Sequence, residues 1–508
     1  MGLYDFTIYD VISRNAKIYP DRDAVVFNQN RLTHKAYKEK CDQLAAGLVK
    51  AGIQKGDRLG VVANNNDEFM VLYGAAAKIG AIVLPVNWRF QKDEVAYVLN
   101  DCTPKIVFAG QGFQEMVADV SQQIKSIQKC YTIGPTEGIK DGFQPFGELY
   151  SEDGAANEFD IPADNGFVIV HTAAVGGYPR GALLSHGNVI ASNLQVIDQN
   201  RMKEDECHIC FLPLFHIAAL SMVMAVMHKG GNNVILDRFD PELSLKLIEK
   251  EKVTVFGSFA PILKTLTEKY QEGNYDLSSL RYVGGLEDPD AIKAFLKISP
   301  NVVFSVGFGQ TEAMGVTGCP LDEKPGSAGK PAIMSRVALF DDDDREVPVG
   351  KPGEICVRSP SVFLGYWGLE EETAFTFRNG WHHTGDMGRF DEEGYLWYVG
   401  RKAQKELIKP GGENVYPAEV ENAILSHDAV EEASVIGVPD EKWGEAIKAI
   451  CVLGQGKTVK EEELIEFVAS KIARYKKPKF VVFVDALPKT EDGNIDRQQI
   501  KKDHGAKF

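Results

Sequence analysis

Residues 58–109 read RLGVVANNNDEFMVLYGAAAKIGAIVLPVNWRFQKDEVAYVLNDCTPKIVFA, and this stretch decides the fold class. Three short apolar runs, 59–63, 81–85 and 105–109, have the length and the Val, Ile and Leu content of strands. Between them, 67–79 and 92–100 carry apolar residues at helical spacing. Strands alternating with helices in this way form crossover units, which lay the strands parallel in one sheet and the helices on its faces. A second series follows, with strands expected at 167–172, 207–214, 234–236, 253–259, 281–283 and 302–306. Asp240-Pro241 predicts a helix start, a capping side chain followed by proline in the first turn, with Leu243, Leu247 and Ile248 on the buried face. The two series predict two similar α/β halves, although no residue-level repeat is evident.

From about residue 326 the texture changes to Gly, Pro and short β runs at 353–358 and 395–399, which reads as a small β subdomain. Past Arg401 a separate lobe is expected, with a helix opening at Pro417, strands at 432–438 and 446–453, and a helix at 461–473. Its length suffices for an independent domain. The expected architecture is a large N-terminal α/β domain (1–400), a hinge (401–406) and a small mobile α+β C-terminal domain (407–508).

Bulk composition excludes several function classes. With 56 basic against 72 acidic side chains the net charge is −16, which would repel nucleic-acid backbones and anionic membranes on average. The most apolar run, 217–227, is too short to span a bilayer that needs roughly 20 apolar residues. No basic-then-apolar leader is visible, and eight cysteines in 508 residues form no disulfide framework, so a cytoplasmic protein is expected. Cys207 and Cys210 lack a second ligand pair and read as part of an apolar strand, and the 341–344 acidic run reads as a solvated turn.

Chemistry-bearing segments follow strand ends. Residues 171–181 are glycine-rich and can turn backbone N–H groups toward phosphate oxygens, with Arg180 adding charge. Ala182-Leu183 stands where a Walker loop needs Lys-Ser/Thr, so that motif is excluded, and on local evidence a plain turn is as good a reading as a phosphate loop. Phe308-Gly309-Gln310-Thr311-Glu312 offers a π face, a hydroxyl and a hard oxygen ligand in five residues. Asp386 closes a Thr-Gly-Asp turn, and Arg401 follows Gly400.

As an ordered set, with Gly-Gly-Glu-Asn-Val-Tyr-Pro at 411–417, these segments resemble the adenylate-forming superfamily of acyl-CoA synthetases, luciferase-like enzymes and peptide-synthetase adenylation domains. The resemblance covers essentially the whole chain. It implies that Thr172, Gly176, Gly177 and Arg180 grip the ATP phosphates. Against the family loop, Ala173, Ala174 and Val175 are altered and only one of three hydroxyls survives. It implies further that adenine lies between Phe308 and the backbone of Gly284 and Gly285, followed by Gly309 and Gln310. Thr311 would contact the α-phosphate, Glu312 would hold Mg²⁺, and Asp386 and Arg401 would take the ribose. Pro213-Leu214-Phe215-His216 matches the family's P-L-F-H, which places His216 beside the reacting carboxylate. The family's C-terminal P-K-T-x-x-G-K ends here in Asn494, a neutral group where a lysine normally bridges two anions, and Lys489 in the same motif is the first substitute.

The reaction implied is acid plus ATP to acyl-adenylate and pyrophosphate, then acyl transfer to CoA, with the small lobe presenting 487–497 first and 411–417 second. By the same resemblance the acyl pocket takes Phe215, His216, Ala218, Phe256, Leu286 and Met314. These are mostly apolar and carry no spare cation, which favours a small-to-medium monocarboxylic acid. Two alternatives stay open from sequence: an adenylation enzyme that loads a carrier protein, and a degenerate binding homologue without catalysis. Partners are expected to be the acid, ATP and CoA, with no nucleic acid, no membrane span and an open oligomeric state that includes a homodimer.

Overall fold

The structure, a computed structural model, describes residues 2–172, 178–402, 407–441, 443–490 and 495–505. Two large sheets carry the N-terminal part. One has eight strands in the order Gly365–Tyr366, Arg180–Ser185, Gly166–Thr172, Ile82–Pro85, Arg58–Val62, Ile106–Ala109, Lys129–Thr132 and Phe143–Pro145. From Gly166–Thr172 onward its strands run parallel, and the two before it are antiparallel. The other has nine strands, and its parallel stretch runs Val303–Gln310, Tyr282–Leu286, Val255–Phe259, Cys207–Cys210, Asn232–Ile235, Asp23–Phe27. The expected pair of similar α/β halves is therefore present, with one exchange. The hairpin Asp23–Phe27 and Asn30–Thr33, from the start of the chain, completes the sheet of the second half by pairing with Asn232–Ile235.

Two helices explain how the sheets share a core. Helix Asp67–Ile79 begins at Asn66, whose side chain accepts from the Phe69 N–H, and ends at left-handed Gly80. It is buried continuously from Phe69 to Ile79. Helix Ile217–Lys229 contains the apolar run at 217–227 and is nearly as buried. A helix apolar on all sides must be covered on all sides, and these two pack into one cluster with Val61 and Val168 of the first sheet and Val25 and Ile235 of the second. No helix among the described residues is long and apolar enough to cross a membrane.

Several expected boundaries shift for local reasons. The strand expected at 207–214 stops at Cys210, two residues before Leu212-Pro213, where a ladder donor is lost. The strand at 302–306 instead runs Val303–Gln310 because it pairs antiparallel with Ala313–Pro320. Helix Pro241–Glu251 starts at Asp240 as expected, but Leu243 is exposed and Leu245 is buried, so the buried face is Leu245 and Ile248 with Leu247 at its edge.

A four-stranded antiparallel sheet, Arg336–Phe340, Gly353–Arg358, His382–Phe390 and Leu396–Arg401, forms the β subdomain. The small C-terminal part holds a three-stranded sheet, Val430–Asp440, Gly444–Leu453 and Phe480–Phe483, whose faces are covered by helices Pro417–Leu425, Glu461–Lys471 and Arg497–His504.

Candidate active site

Strand ends from both large sheets and from the β subdomain converge on one cleft. Thr172 closes strand Gly166–Thr172, and its hydroxyl donates to Glu312 Oε1 at 3.4 Å. The Tyr366 hydroxyl donates to the same oxygen at 2.9 Å and accepts from Arg180 Nη2 at 3.2 Å. The Arg180 guanidinium also lies 4.0 Å from the Tyr366 ring centroid. The loop residue Thr172, the cation Arg180 and the carboxylate Glu312 thus form one cluster, joined by a tyrosine that sequence reading missed. Burial, with Glu312 beside it, holds the Tyr366 phenol far above its ordinary pKa, so it stays a neutral donor. Gly176 and Gly177 lie outside the described residues.

Asp386 and Arg401 face each other as register partners of strands His382–Phe390 and Leu396–Arg401. Arg401 Nε lies 3.1 Å from Asp386 Oδ1, and the Tyr398 hydroxyl donates to that same oxygen at 3.1 Å. The Gln310 side chain donates to the other Asp386 oxygen and, at 2.9 Å, to the Thr384 carbonyl. Gln310 is thereby the link between the 308–312 segment and the aspartate. The Phe308 and Tyr398 rings stack at 6.5 Å, and Thr311 sits half-buried in the turn that follows.

The glycines divide by cause. At Gly285 the backbone is left-handed (φ +150°) and a Cβ would lie 1.8 Å from the Ser258 carbonyl oxygen, so strand packing alone demands glycine. At Gly284 a Cβ would meet nothing closer than 3.8 Å, which leaves that backbone face open to a planar ligand.

His216 caps helix Ile217–Lys229, with Nδ1 accepting from the Ala218 N–H at 3.1 Å. That bond fixes a neutral ring with its proton on Nε2; the residue is open to the cleft, and the protein atoms packed round the ring desolvate it and lower its pKa. The ring meets Phe259 edge-on at 6.5 Å, and both line a cavity of about 330 Å³ with Trp88, Arg89, Pro261 and Glu413. Phe215 packs on Trp88 and Arg89 at the same wall.

Phe256 does not belong to this pocket. It is fully buried between Phe211 and Phe295 in the core behind the sheet. Side chains alternate along strand Val255–Phe259, so Phe259 faces the cleft and Phe256 the opposite layer. Ala218 sits half-buried in the first helical turn, Met314 packs on the large core, and Leu286 is 57% exposed at its strand end. Two cations also line the cavity, Arg89 and Arg238, and neither is spare: each lies beside a carboxylate, Glu413 at 2.7 Å and Asp237 at 3.9 Å.

From the C-terminal part it is the 411–416 segment that faces the cleft. Gly411 and Glu413 line the cavity, and buried Tyr416 feels Arg401 and Glu312 as its nearest charges. Lys409 also reaches this neighbourhood, where burial and then Arg401 depress its pKa while Asp386 opposes them. Lys489, by contrast, is tied to Glu432 at 2.6 Å on the C-terminal sheet and stands apart from every residue above. Asn494 falls outside the described residues.

For Mg²⁺, Glu312 is a fitting ligand: a hard oxygen donor, 8% exposed, beside the Thr172 and Tyr366 hydroxyls.

Residues 12–367 match the AMP-binding enzyme family, and residues 419–494 match the AMP-binding enzyme C-terminal domain. The chain is 33% identical over 499 residues to feruloyl-CoA synthase of Amycolatopsis, covering 97% of this chain and 98% of that protein. It is 32% identical over 494 residues to a long-chain-fatty-acid–CoA ligase of Mycobacterium tuberculosis, covering 94% of each. Its structure superposes with a TM-score of 0.84 on a double mutant of o-succinylbenzoate CoA synthetase from Bacillus subtilis bound to a product analogue, 26% identical and covering 98% of both chains. The chain belongs to the AMP-binding enzyme family and is an AMP-forming carboxylate–CoA ligase that uses ATP, Mg²⁺ and CoA.

Proposed function

We propose that this ligase activates a small-to-medium monocarboxylic acid, and that the cluster of Thr172, Arg180, Glu312, Asp386 and Arg401 is its adenylation site. The observation that carries the reading is the convergence of these five residues, remote in sequence, through Tyr366, Gln310 and Tyr398. Asp386, backed by Arg401, accepts the ribose hydroxyls. Adenine lies between Phe308 and the open face of Gly284. Arg180 and the Thr172 hydroxyl bind the β- and γ-phosphates, and Thr311 the α-phosphate. Mg²⁺ held by Glu312 screens the phosphate charge when bound.

In the first step a carboxylate oxygen of the acid bonds to the α-phosphorus and pyrophosphate leaves. In the second, the CoA thiol sulfur bonds to the acyl carbon, its proton is released and AMP leaves. His216, neutral and held by its cap bond, borders the acyl carbon and excludes water from it. The cavity beside it serves thiol entry, because Gly411 and Glu413 of the C-terminal part complete its wall. The acyl pocket then extends past His216 and Ala218 toward Leu286 and Met314.

The chain divides at 401–406 into bodies of residues 1–400 and 407–508, and the arrangement with 411–416 in the cleft corresponds to the second step. Eight free cysteines fit a reducing compartment, and we place the enzyme in the cytoplasm. ATP–pyrophosphate exchange over a panel of carboxylic acids tests the reading. Fastest exchange with a short aliphatic, alicyclic or aromatic acid is expected, and no exchange with any acid would overturn it.

A further inference from the structure

We propose that Glu354 is a positioning residue for nucleotide binding, acting through Asp386 and Arg401 without touching the nucleotide; this rests on the ribose assignment above. Glu354 lies on strand Gly353–Arg358 and is 3% exposed. Its Oε1 accepts the Gly385 N–H at 2.8 Å. Its Oε2 receives Lys402 Nζ at 3.0 Å, His383 Nδ1 at 3.1 Å and Arg378 Nη2 at 3.2 Å.

The identity of two partners gives this network its direction. Gly385 immediately precedes Asp386, and Lys402 immediately follows Arg401. The two are also joined directly, the Lys402 N–H donating to the Gly385 carbonyl at 3.1 Å. One buried carboxylate therefore grips both strands of the hairpin at the position next to the Asp386–Arg401 pair. The β ladder alone would leave that hairpin end loose, since its register shifts between Met387 and Gly388, and Gly385 itself is left-handed at φ +69°. The neighbouring strand shifts register as well, between Glu354 and Cys356. Side-chain bonds to Glu354 supply the rigidity that two irregular strand pairs do not. Burial would push its pKa up, yet His383 and Lys402 bring it down to about 2, so the carboxylate is charged throughout the working range.

Two metal-like groupings compete for notice. Glu354, Cys356 and His383 have ligand atoms close together, but Arg378 and Lys402 already neutralise the carboxylate, which disfavours a cation there. Asp101, Cys102 and His171 already form a hydrogen-bonded set, with His171 Nε2 3.1 Å from the aspartate.

The test is a double-mutant cycle on AMP affinity, by calorimetry, with Glu354→Gln, Asp386→Ala and the pair. Glutamine can still accept from Gly385 but offers no charge to Lys402. Glu354→Gln is expected to weaken AMP about tenfold and to raise the ATP KM by a similar factor while kcat changes by less than about threefold. In the Asp386→Ala background it should add nothing, because its effect passes through that residue. Additive losses, or unchanged AMP affinity in folded Glu354→Gln, would overturn the inference. Unchanged affinity in Asp386→Ala alone would overturn the ribose assignment, and the inference with it. If Glu354→Gln does not fold, Lys402→Met, on a side chain 22% exposed, carries the same cycle with the same expected non-additivity.

Discussion

Lys476 of the C-terminal part donates at 2.7 Å to Glu94 of the N-terminal part, and its ammonium also reaches Glu419 on its own side. The three side chains are 2%, 8% and 6% exposed. Burial opposes the ammonium charge, and Tyr475, Glu419 and Glu94 together outweigh it, so the lysine titrates well above its ordinary range. Arg89–Glu413 at 2.7 Å and Asn87–Tyr475 at 3.4 Å extend the same seam. These contacts exist only while the two parts sit as they do here, so they favour the arrangement that brings 411–416 to the cleft.

Glu94→Gln should therefore slow thioester formation while sparing adenylation. Lys476 keeps Glu419, so only one charged contact is lost, on the order of 1.5 kcal/mol or about tenfold in the population of this arrangement. Pyrophosphate exchange reads the first step, and CoA ester formation from supplied acyl-adenylate reads the second. Equal slowing of both would show that the seam does not discriminate between them.

By its resemblance to the family motif, Asn494 takes the place of a lysine that offsets two approaching anions. Asn494→Lys is expected to accelerate adenylation without a comparable gain in thioester formation from supplied acyl-adenylate. An unchanged or slower rate would point to Lys489, an exposed side chain whose bridge to half-buried Glu432 is weak enough to release it. Loss of adenylation in Lys489→Ala would then identify the substitute.

Tyr366→Phe deletes the hydroxyl that stands between Arg180 and Glu312. Without it the two charges are free to pair with each other instead of with phosphate and Mg²⁺. The expected result is an apparent KM for MgATP raised about tenfold, the loss of one charged hydrogen bond, with folding intact. A KM within twofold of the parent would remove Tyr366 from the site.

What could be read in the sequence and what could not differ for a physical reason. Asp386, Arg401 and the 308–312 segment lie on short local motifs, Asp386 within its strand and the others at strand ends, and local chain geometry delivers them to the cleft. Tyr366 arrives only because Gly365–Tyr366 adds to the edge of a sheet by pairing with Ala182-Leu183, a contact no local pattern encodes. The Asp23–Phe27 strand joins the distant sheet for the same kind of reason. Phe256 departs from the expected pocket through parity: one step along a strand exchanges cleft for core, and Phe259 has the orientation that Phe256 lacks.

Acidification should destabilise the fold before it reaches the carboxylates. Burial lowers His186 and His208 to about 4, against an ordinary value of 6.5, with Asn233 partly opposing at His208. Between these values the unfolded chain binds protons that the folded one refuses, so stability falls as pH drops from 6.5 toward 4, by a few kcal/mol at most for each ring. Glu68 works the other way, since burial raises it to about 7 and the folded state gains a proton from the ordinary 4.5 upward. His228, lowered to about 4 by burial and then Arg14, and His34 and His216, lowered by burial, add to the loss, while Glu287 and Glu419, raised by burial, add to the gain. The lowered imidazoles outnumber the raised carboxyls and leave a net loss in acid. Urea midpoints at pH 7, 6 and 5 should decline in that order, and a flat series would mean that the rings titrate normally.

The choice of acid is the hardest point, because similar proteins include ligases for ferulate-sized and for long-chain acids. The argument has to come from Leu286. It ends strand Tyr282–Leu286 beside Phe259, its register partner, and its carbonyl accepts from the Ala260 N–H at 3.0 Å. With 57% of its surface exposed, its side chain is not committed to the core, and as the register partner of Phe259 it stands on the same face of the sheet. Leu286→Ala removes this bulk without leaving a core cavity, so stability should change by less than about 1 kcal/mol. Each methylene of substrate newly accommodated contributes about 0.8 kcal/mol, so two or three extra carbons shift kcat/KM toward the longer or wider acid by about tenfold or more. Competition between a short or aromatic acid and its homologue two carbons longer measures that ratio directly. Parent enzyme that activates palmitate better than any short or cyclic acid would refute the pocket reading, and the adenylation site would stand without it.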